Sequence, residues 1–149
     1  TAIGQLFLIN GICVIYLGPS LTSMLTGRLK LKYTVILAGA IYIATLFLFF
    51  LFTGNGMVVA SAFLFGIADS FGFSALSIYF SSLDTVKLFG SGKAMGVYST
   101  FENISQTLGP FVFSAVFVLG IKQGIFAITV VYLILLVLYT LFGKKIDKQ

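Results

Sequence analysis

The charged residues of this chain are confined almost entirely to short gaps between long apolar runs. Only 9% of the 149 residues are charged, nine basic and four acidic, against about 25% in an ordinary soluble domain. With 59% hydrophobic residues and a mean hydropathy of +1.12, the chain carries more apolar surface than one soluble core could hide. This distribution predicts an integral membrane protein with the lipid bilayer as a partner.

Five of the apolar runs are long enough for a helix to cross a bilayer, which takes about 20 residues. They cover residues 3–26, 33–53, 57–80, 94–119 and 125–142. Continuous apolarity, without the alternation of a barrel strand, favours helices. We therefore predict an all-α polytopic membrane protein with five transmembrane helices in a single transmembrane domain over residues 1–149. Because the chain starts at Thr1 and is apolar within three residues, we interpret it as a fragment of a longer protein.

The basic residues predict the orientation of the spans. Eight of the nine lie in alternate gaps, and only Lys122 lies on the other side. The eight are Arg28, Lys30, Lys32, Lys87, Lys93, Lys144, Lys145 and Lys148. Because bases are retained on the cytoplasmic side, we expect the N-terminus outside and the C-terminus in the cytoplasm, in a plasma membrane of bacterial type.

The residue types that are missing exclude several kinds of chemistry. The chain has no histidine and one cysteine, Cys13, which excludes a His/Cys zinc site, a Ser-His-Asp triad and an intrachain disulfide. The bases lie where the positive-inside rule places them, so we expect no nucleic-acid partner. We also expect no metal, no cofactor and no enzymatic activity, with an intramembrane hydrolase as the least favoured alternative.

Two acids lie inside apolar runs and are the first candidates for function. Asp69 is about twelve residues into the third span, which places it roughly 18 Å deep at 1.5 Å per residue. A carboxylate there costs at least about 2.5–3.5 kcal/mol, so Asp69 is a candidate proton carrier or cation binder. The alternative is a protonated acid with a hydrogen bond to a neighbouring helix. Ser70 and Ser74 form a stripe beside it, which could line a hydrated path or let helices pack closely.

Glu102 is the second acid and lies on the most polar helical face of the chain. Polar residues, glycine and proline follow the spacing of one face in the fourth span, and we predict that this face lines a cavity. Its members are Ser99, Glu102, Asn103, Gln106, Gly109 and Pro110. Asn10 adds a polar group to the first span. The second and fifth spans carry only threonine and tyrosine as polar side chains, so we expect them to face lipid.

Glycine and proline predict where helices pack and bend. Gly4, Gly11 and Gly18 recur every seven residues and share one face of the first span, where glycine allows close helix packing. Gly18-Pro19 and Gly109-Pro110 predict kinks, because proline removes a helical hydrogen bond.

Several stretches, taken in order, resemble the C-terminal half of a major facilitator superfamily transporter, its eighth to twelfth helices. Gly18-Pro19 leads through Thr26-Gly27-Arg28 into a basic loop ending at Lys32. Gly66-Ile67-Ala68-Asp69-Ser70 resembles the glycine-rich tenth helix, and Gly92-Lys93-Ala94-Met95-Gly96 the start of the eleventh. The chain departs from the family pattern in lacking an acid among the bases of the first loop, which puts a charge-relay gate there in doubt.

The resemblance implies part of a six-helix half and a function in secondary transport. A small solute would be moved by alternating access, driven by a proton gradient or by facilitated diffusion. The missing N-terminal half and at least one further helix of the same half would then be partners. Asp69 and Glu102 would be protonated or contact substrate, with Asn10, Asn103 and Gln106 as hydrogen-bonding liners. The alternative is a non-transporting membrane sensor or anchor of the same fold, fused to a signalling domain.

Overall fold

The computed structural model describes residues 2–52, 54–118 and 120–143. The chain order is α1 (Ala2–Arg28), α2 (Leu31–Leu51), α3 (Asn55–Ser81), α4 (Asp84–Phe89), α5 (Ser91–Phe117) and α6 (Ile121–Phe142). Apart from short connections the described residues are helical, and no strand occurs among them, which confirms the all-α class. The predicted span ends at residues 53 and 119, and the bases Lys144, Lys145 and Lys148, lie outside the described residues.

Four of the helices are long and apolar enough to cross a membrane, as expected of a polytopic membrane protein. They are α2, α6, the Leu8–Arg28 part of α1 and the Gly56–Ser81 part of α3. Helix α5 has 27 residues and extends about 40 Å at 1.5 Å per residue. Its polar side chains make it less apolar than the other four. The fourth predicted span, residues 94–119, therefore has the length but not the apolarity of the other membrane helices.

Glycine precedes the first residue of both α5 and α6. Gly90 and Gly120 have φ angles of 100° and 106°, in the left-handed region that glycine adopts at little cost. Helix α5 begins directly after the first and α6 directly after the second. One residue therefore separates α4 from α5, and α6 begins four residues before its predicted start at 125.

One other local feature differs from the sequence expectation. The short helix α4 occupies the gap between the third and fourth predicted spans, where we expected no helix.

The two prolines lie inside helices, in keeping with their positions inside the predicted spans. Helix α1 continues through Pro19, and α5 continues through Pro110.

Helix α3 lies at the centre of the bundle, packed against α1 and α2, and α2 packs in turn against α6. Helices α2 and α6 run antiparallel, because Tyr42 meets Tyr132 with ring centroids 5.7 Å apart and Phe50 meets Phe126 at 5.9 Å. Phe71 on α3 is only 1% exposed and is the largest fully buried side chain of the described residues. The core therefore follows α3.

The packing of α2 and α5 shows more than their polarity predicted. Helix α2, which was expected to face lipid, also packs between α3 and α6 and buries Thr34, Ala38 and Thr45. Small residues explain this, since they let neighbouring helices approach. Helix α5, which carries the most polar face, packs only lightly against α3, α4 and α6 and is mostly exposed.

Candidate functional site

Helices α1 and α3 approach each other closely at Gly66. A Cβ atom at residue 66 would lie 2.8 Å from the Cβ of Cys13 and 3.2 Å from the Cα of Asn10. Only glycine fits at such a distance. Ala68 and Ala75, also on α3, are fully buried. Short polar side chains on the two helices can therefore reach each other.

Asn10 and Asp69 form a hydrogen bond across this interface. The side-chain amide Nδ2 of Asn10 donates to Oδ2 of Asp69 at 2.9 Å, and both residues are half-buried. Among the described residues no basic side chain forms an ion pair with Asp69. The carboxyl group therefore depends on a neutral donor and keeps acceptor capacity for a further partner.

A cavity of about 370 Å³ lies along the same interface, one helical turn from this pair. Its lining consists of Val14, Gly18, Pro19, Thr22, Ser23, Ser70 and Ser74. Asn10 and Val14 are separated by one turn of α1, and Asp69 directly precedes Ser70. The structure therefore places four of the predicted site residues together: Asn10 and Asp69 as a pair, and Ser70 and Ser74 in the adjoining cavity.

Three of the four hydroxyl groups in the cavity donate to backbone carbonyl groups. Ser70 Oγ donates to the carbonyl of Ile67 at 2.6 Å, Ser23 Oγ to that of Ser20 at 3.0 Å, and Thr22 Oγ1 to that of Ser70 at 3.4 Å. A hydroxyl whose proton is used in this way offers only lone pairs to a ligand. The polar part of the cavity wall is thus mainly a set of acceptors.

Glycine and proline in α1 shape the same cavity. An added Cβ at Gly18 would lie 3.1 Å from the carbonyl oxygen of Ser70, so the glycine keeps α1 close to α3. Pro19 has no N–H to donate to the preceding turn, which leaves the carbonyl of Ile15 without its helical donor. By contrast, Gly4 is exposed and Gly11 has no atom within 4 Å of a built Cβ. Of the three glycines at seven-residue spacing, only Gly18 is buried.

The remaining predicted site residues lie on α5, away from this interface. Glu102 is half-buried, while Asn103 and Gln106 are exposed. A built Cβ at Gly109 meets nothing within 4 Å, and Pro110 is exposed. Helix α5 contacts α3 through Phe80 and Tyr98, whose ring centroids are 5.0 Å apart. The two acids therefore occupy separate surroundings.

Sequence reasoning counted Lys32 only among the bases of a loop, whereas the structure buries its side chain. The side chain is only 6% exposed, and its Nζ donates to the carbonyl oxygens of Thr140 at 2.8 Å and Gly143 at 2.5 Å. Helix α6 has no basic residue in its last turn, so Lys32 supplies the cation that the negative end of a helix favours. In the sequence Lys32 ends the basic loop before the predicted span 33–53, so its place within α2 could not be predicted.

Comparison with protein-family models, curated proteins and solved structures finds no match to this chain. Among the described residues, no three His, Cys, Asp or Glu side chains come together as a metal site would require. The observations that bear on function are therefore the α1–α3 interface and the arrangement of the helices around it.

Proposed function

We propose that this chain is part of a secondary membrane transporter of the major facilitator type, which moves a small solute by alternating access. The observation that carries the proposal is the Asn10–Asp69 hydrogen bond beside a hydroxyl-lined cavity, between two helices apolar enough to cross a membrane. Ionisable groups within such helices are costly and typically mark solute or proton pathways. Movement of the solute is driven by a proton gradient or occurs as facilitated diffusion.

The exposed polar face of α5 is a second observation that supports the proposal. Glu102, Asn103 and Gln106 would be unfavourable against lipid, and this face is not covered by the described helices. In a complete transporter this face of α5 lines the central pathway opposite the N-terminal half. At least one further helix completes the half that contains this chain. The solute then passes between α5 and the missing half, with Asp69 reached from the α1–α3 side.

The proposed orientation follows from the ends of the helices. Arg28, Lys30, Lys32, Lys87 and Lys93 flank helix ends that lie together at one end of the bundle, whereas Lys122 lies near the start of α6 at the other. Under the positive-inside rule the first group is cytoplasmic, in a plasma membrane of bacterial type.

Uptake into vesicles tests the proposal directly. The full-length protein is reconstituted into liposomes, and uptake of radiolabelled candidate solutes is measured with and without an inward proton gradient. We expect Asp69→Asn to abolish the stimulation by the gradient, because the amide cannot exchange a proton. Phe73→Leu is the matched control, since Phe73 lies one turn further along α3 and is 53% exposed. Unchanged gradient-dependent uptake in Asp69→Asn would exclude Asp69 from coupling.

The alternative is a non-transporting membrane sensor or anchor with a transporter-like fold. The observation that favours it is the close backbone contact of α1 and α3 at Gly18 and Gly66, which suits a pair of helices that moves as one body. The flanking sequence discriminates the two. Seven further spans upstream favour transport, whereas a kinase, phosphatase or cyclase downstream of Gln149 favours sensing.

A further inference from the structure

The cavity between α1 and α3 has a polar wall composed mainly of acceptors. The hydroxyl protons of Thr22, Ser23 and Ser70 are used on backbone carbonyls. A ligand that fits this wall must bring the hydrogen-bond donors itself. A carbonyl compound or an anion would find few donors there.

The charges around the cavity also favour a ligand that donates hydrogen bonds, and specifically a cation. None of the lining residues is basic, and Asp69 lies next to Ser70 with acceptor capacity beyond its bond to Asn10. Because Asp69 directly precedes Ser70 in the chain, a cation in the cavity would lie near a carboxylate group.

The remaining lining distinguishes an organic cation from a metal ion. Val14, Gly18 and Pro19 contribute an apolar side to the cavity, whereas a hard metal ion needs oxygen ligands all around it. The volume of about 370 Å³ lies at the lower end of the range for small-molecule sites and exceeds the need of a bare ion. One polar and one apolar side suit a cationic head attached to a short hydrocarbon body.

We propose that this cavity binds a small protonated primary amine. Its ammonium group donates to the oxygens of Thr22, Ser23 and Ser70, its charge is balanced by Asp69, and its carbon chain lies against Val14 and Pro19. The proposal rests on the proposed transport function and names the class of solute that the site takes.

Equilibrium binding of radiolabelled n-butylammonium to the full-length protein in lipid nanodiscs tests the proposal. We expect saturable binding above empty nanodiscs, which neither n-butanol nor sodium displaces at equal concentration. Asp69→Asn should weaken binding by about tenfold or more, since the negative charge that balances the ammonium group is lost. Phe73→Leu, on the exposed side of α3, should leave it unchanged. Equal competition by butanol, displacement by sodium, or unaltered binding to Asp69→Asn would each overturn the proposal.

A labelling experiment keeps the proposal testable if Asp69→Asn fails to fold. In a Cys13→Ala background, Ser74→Cys and Phe73→Cys are treated with a water-soluble thiol reagent with and without n-butylammonium. The amine should slow labelling at position 74 and not at position 73. Equal rates with and without amine at both positions would contradict the site.

The two proposals fail in different ways. If no amine binds, while uptake of another solute still depends on Asp69, the amine site is wrong and the transport function stands. If amine binds with the expected dependence on Asp69, but vesicles take up no solute, the site stands and the sensor alternative replaces transport.

Discussion

A lysine at the start of an apolar helix can extend its charge into the water at the membrane surface or direct it to the end of a neighbouring helix. Lys32 does the second, whereas the sequence pattern counted it only among the bases that orient the spans. Its ammonium group binds two carbonyls that α6 leaves without intrahelical donors. One residue thereby satisfies the end of α6 and fixes it to the start of α2.

Replacing Lys32 by methionine should lower the free energy of unfolding by about 1–3 kcal/mol, because a charge-assisted capping interaction is lost while the apolar stem is kept. Unfolding in mixed detergent micelles measures the change. Lys93→Met is the matched control, since Lys93 is an exposed base in the first turn of α5, and we expect little effect. A similar loss in both variants would contradict the capping account.

The residues of the candidate site could be predicted from the sequence, but their pairing could not. Asp69 and Asn10 are conspicuous because each is polar within a long apolar run. They are 59 residues apart, and no local spacing relates one to the other. The pairing depends on how α1 rotates against α3, which Gly66 and Gly18 determine. The sequence analysis missed Thr22 and Ser23, because nothing in the sequence shows that their hydroxyl groups line a cavity.

At the scale of elements, the contact between α1 and α3 is the one that most depends on a single position. Gly66→Ala should lower the free energy of unfolding by about 1–3 kcal/mol, because its Cβ would press on Cys13 and on the backbone of Asn10. The same substitution at Gly96 on α5, where nothing lies within 4 Å, should be neutral or stabilise by up to about 1 kcal/mol through helix propensity.

Thermal unfolding in detergent, followed for both variants, measures this difference. If Gly66→Ala is as stable as Gly96→Ala, the close approach of α1 and α3 is incorrect. A stable Gly66→Ala variant that has lost amine binding would instead locate the effect in the cavity rather than in packing.

Helices α1, α2, α3 and α6 were predictable because an apolar run of about 20 residues has few alternatives in a membrane. The ends were less predictable. Several glycines lie in the gaps, but among the described residues only Gly90 and Gly120 have the positive φ that a sharp turn requires. Helix α4 escaped prediction because six residues of mixed polarity give no periodic signal.

For the whole molecule, the main question is how many times the chain crosses the membrane. In a Cys13→Ala background, Lys93→Cys and Lys122→Cys mark the two sides of α5. If α5 spans, a membrane-impermeant thiol reagent should label position 122 in intact cells and position 93 only after permeabilisation. The positive-inside distribution gives this direction. Labelling of both positions from the same side would show that α5 does not cross.

The arrangement of the helices was the least predictable level. Polarity predicted a lipid-facing α2 and a cavity-lining face on α5, but it did not predict that α2 packs between α3 and α6 or that the described helices leave α5 mostly exposed. Small side chains on α2 decide its place: a Cβ at Gly39 would lie 2.6 Å from Leu136 of α6. Such fits depend on the shapes of two helices at once, which no single run of sequence contains.

The bond between Lys32 and Gly143 joins residues 111 positions apart, about three quarters of the 149-residue sequence. During synthesis α2 is inserted long before α6 has left the ribosome. Its lysine must remain hydrated at the membrane surface until α6 arrives. The attachment of α6 to α2 is therefore a late event in the assembly of the described helices.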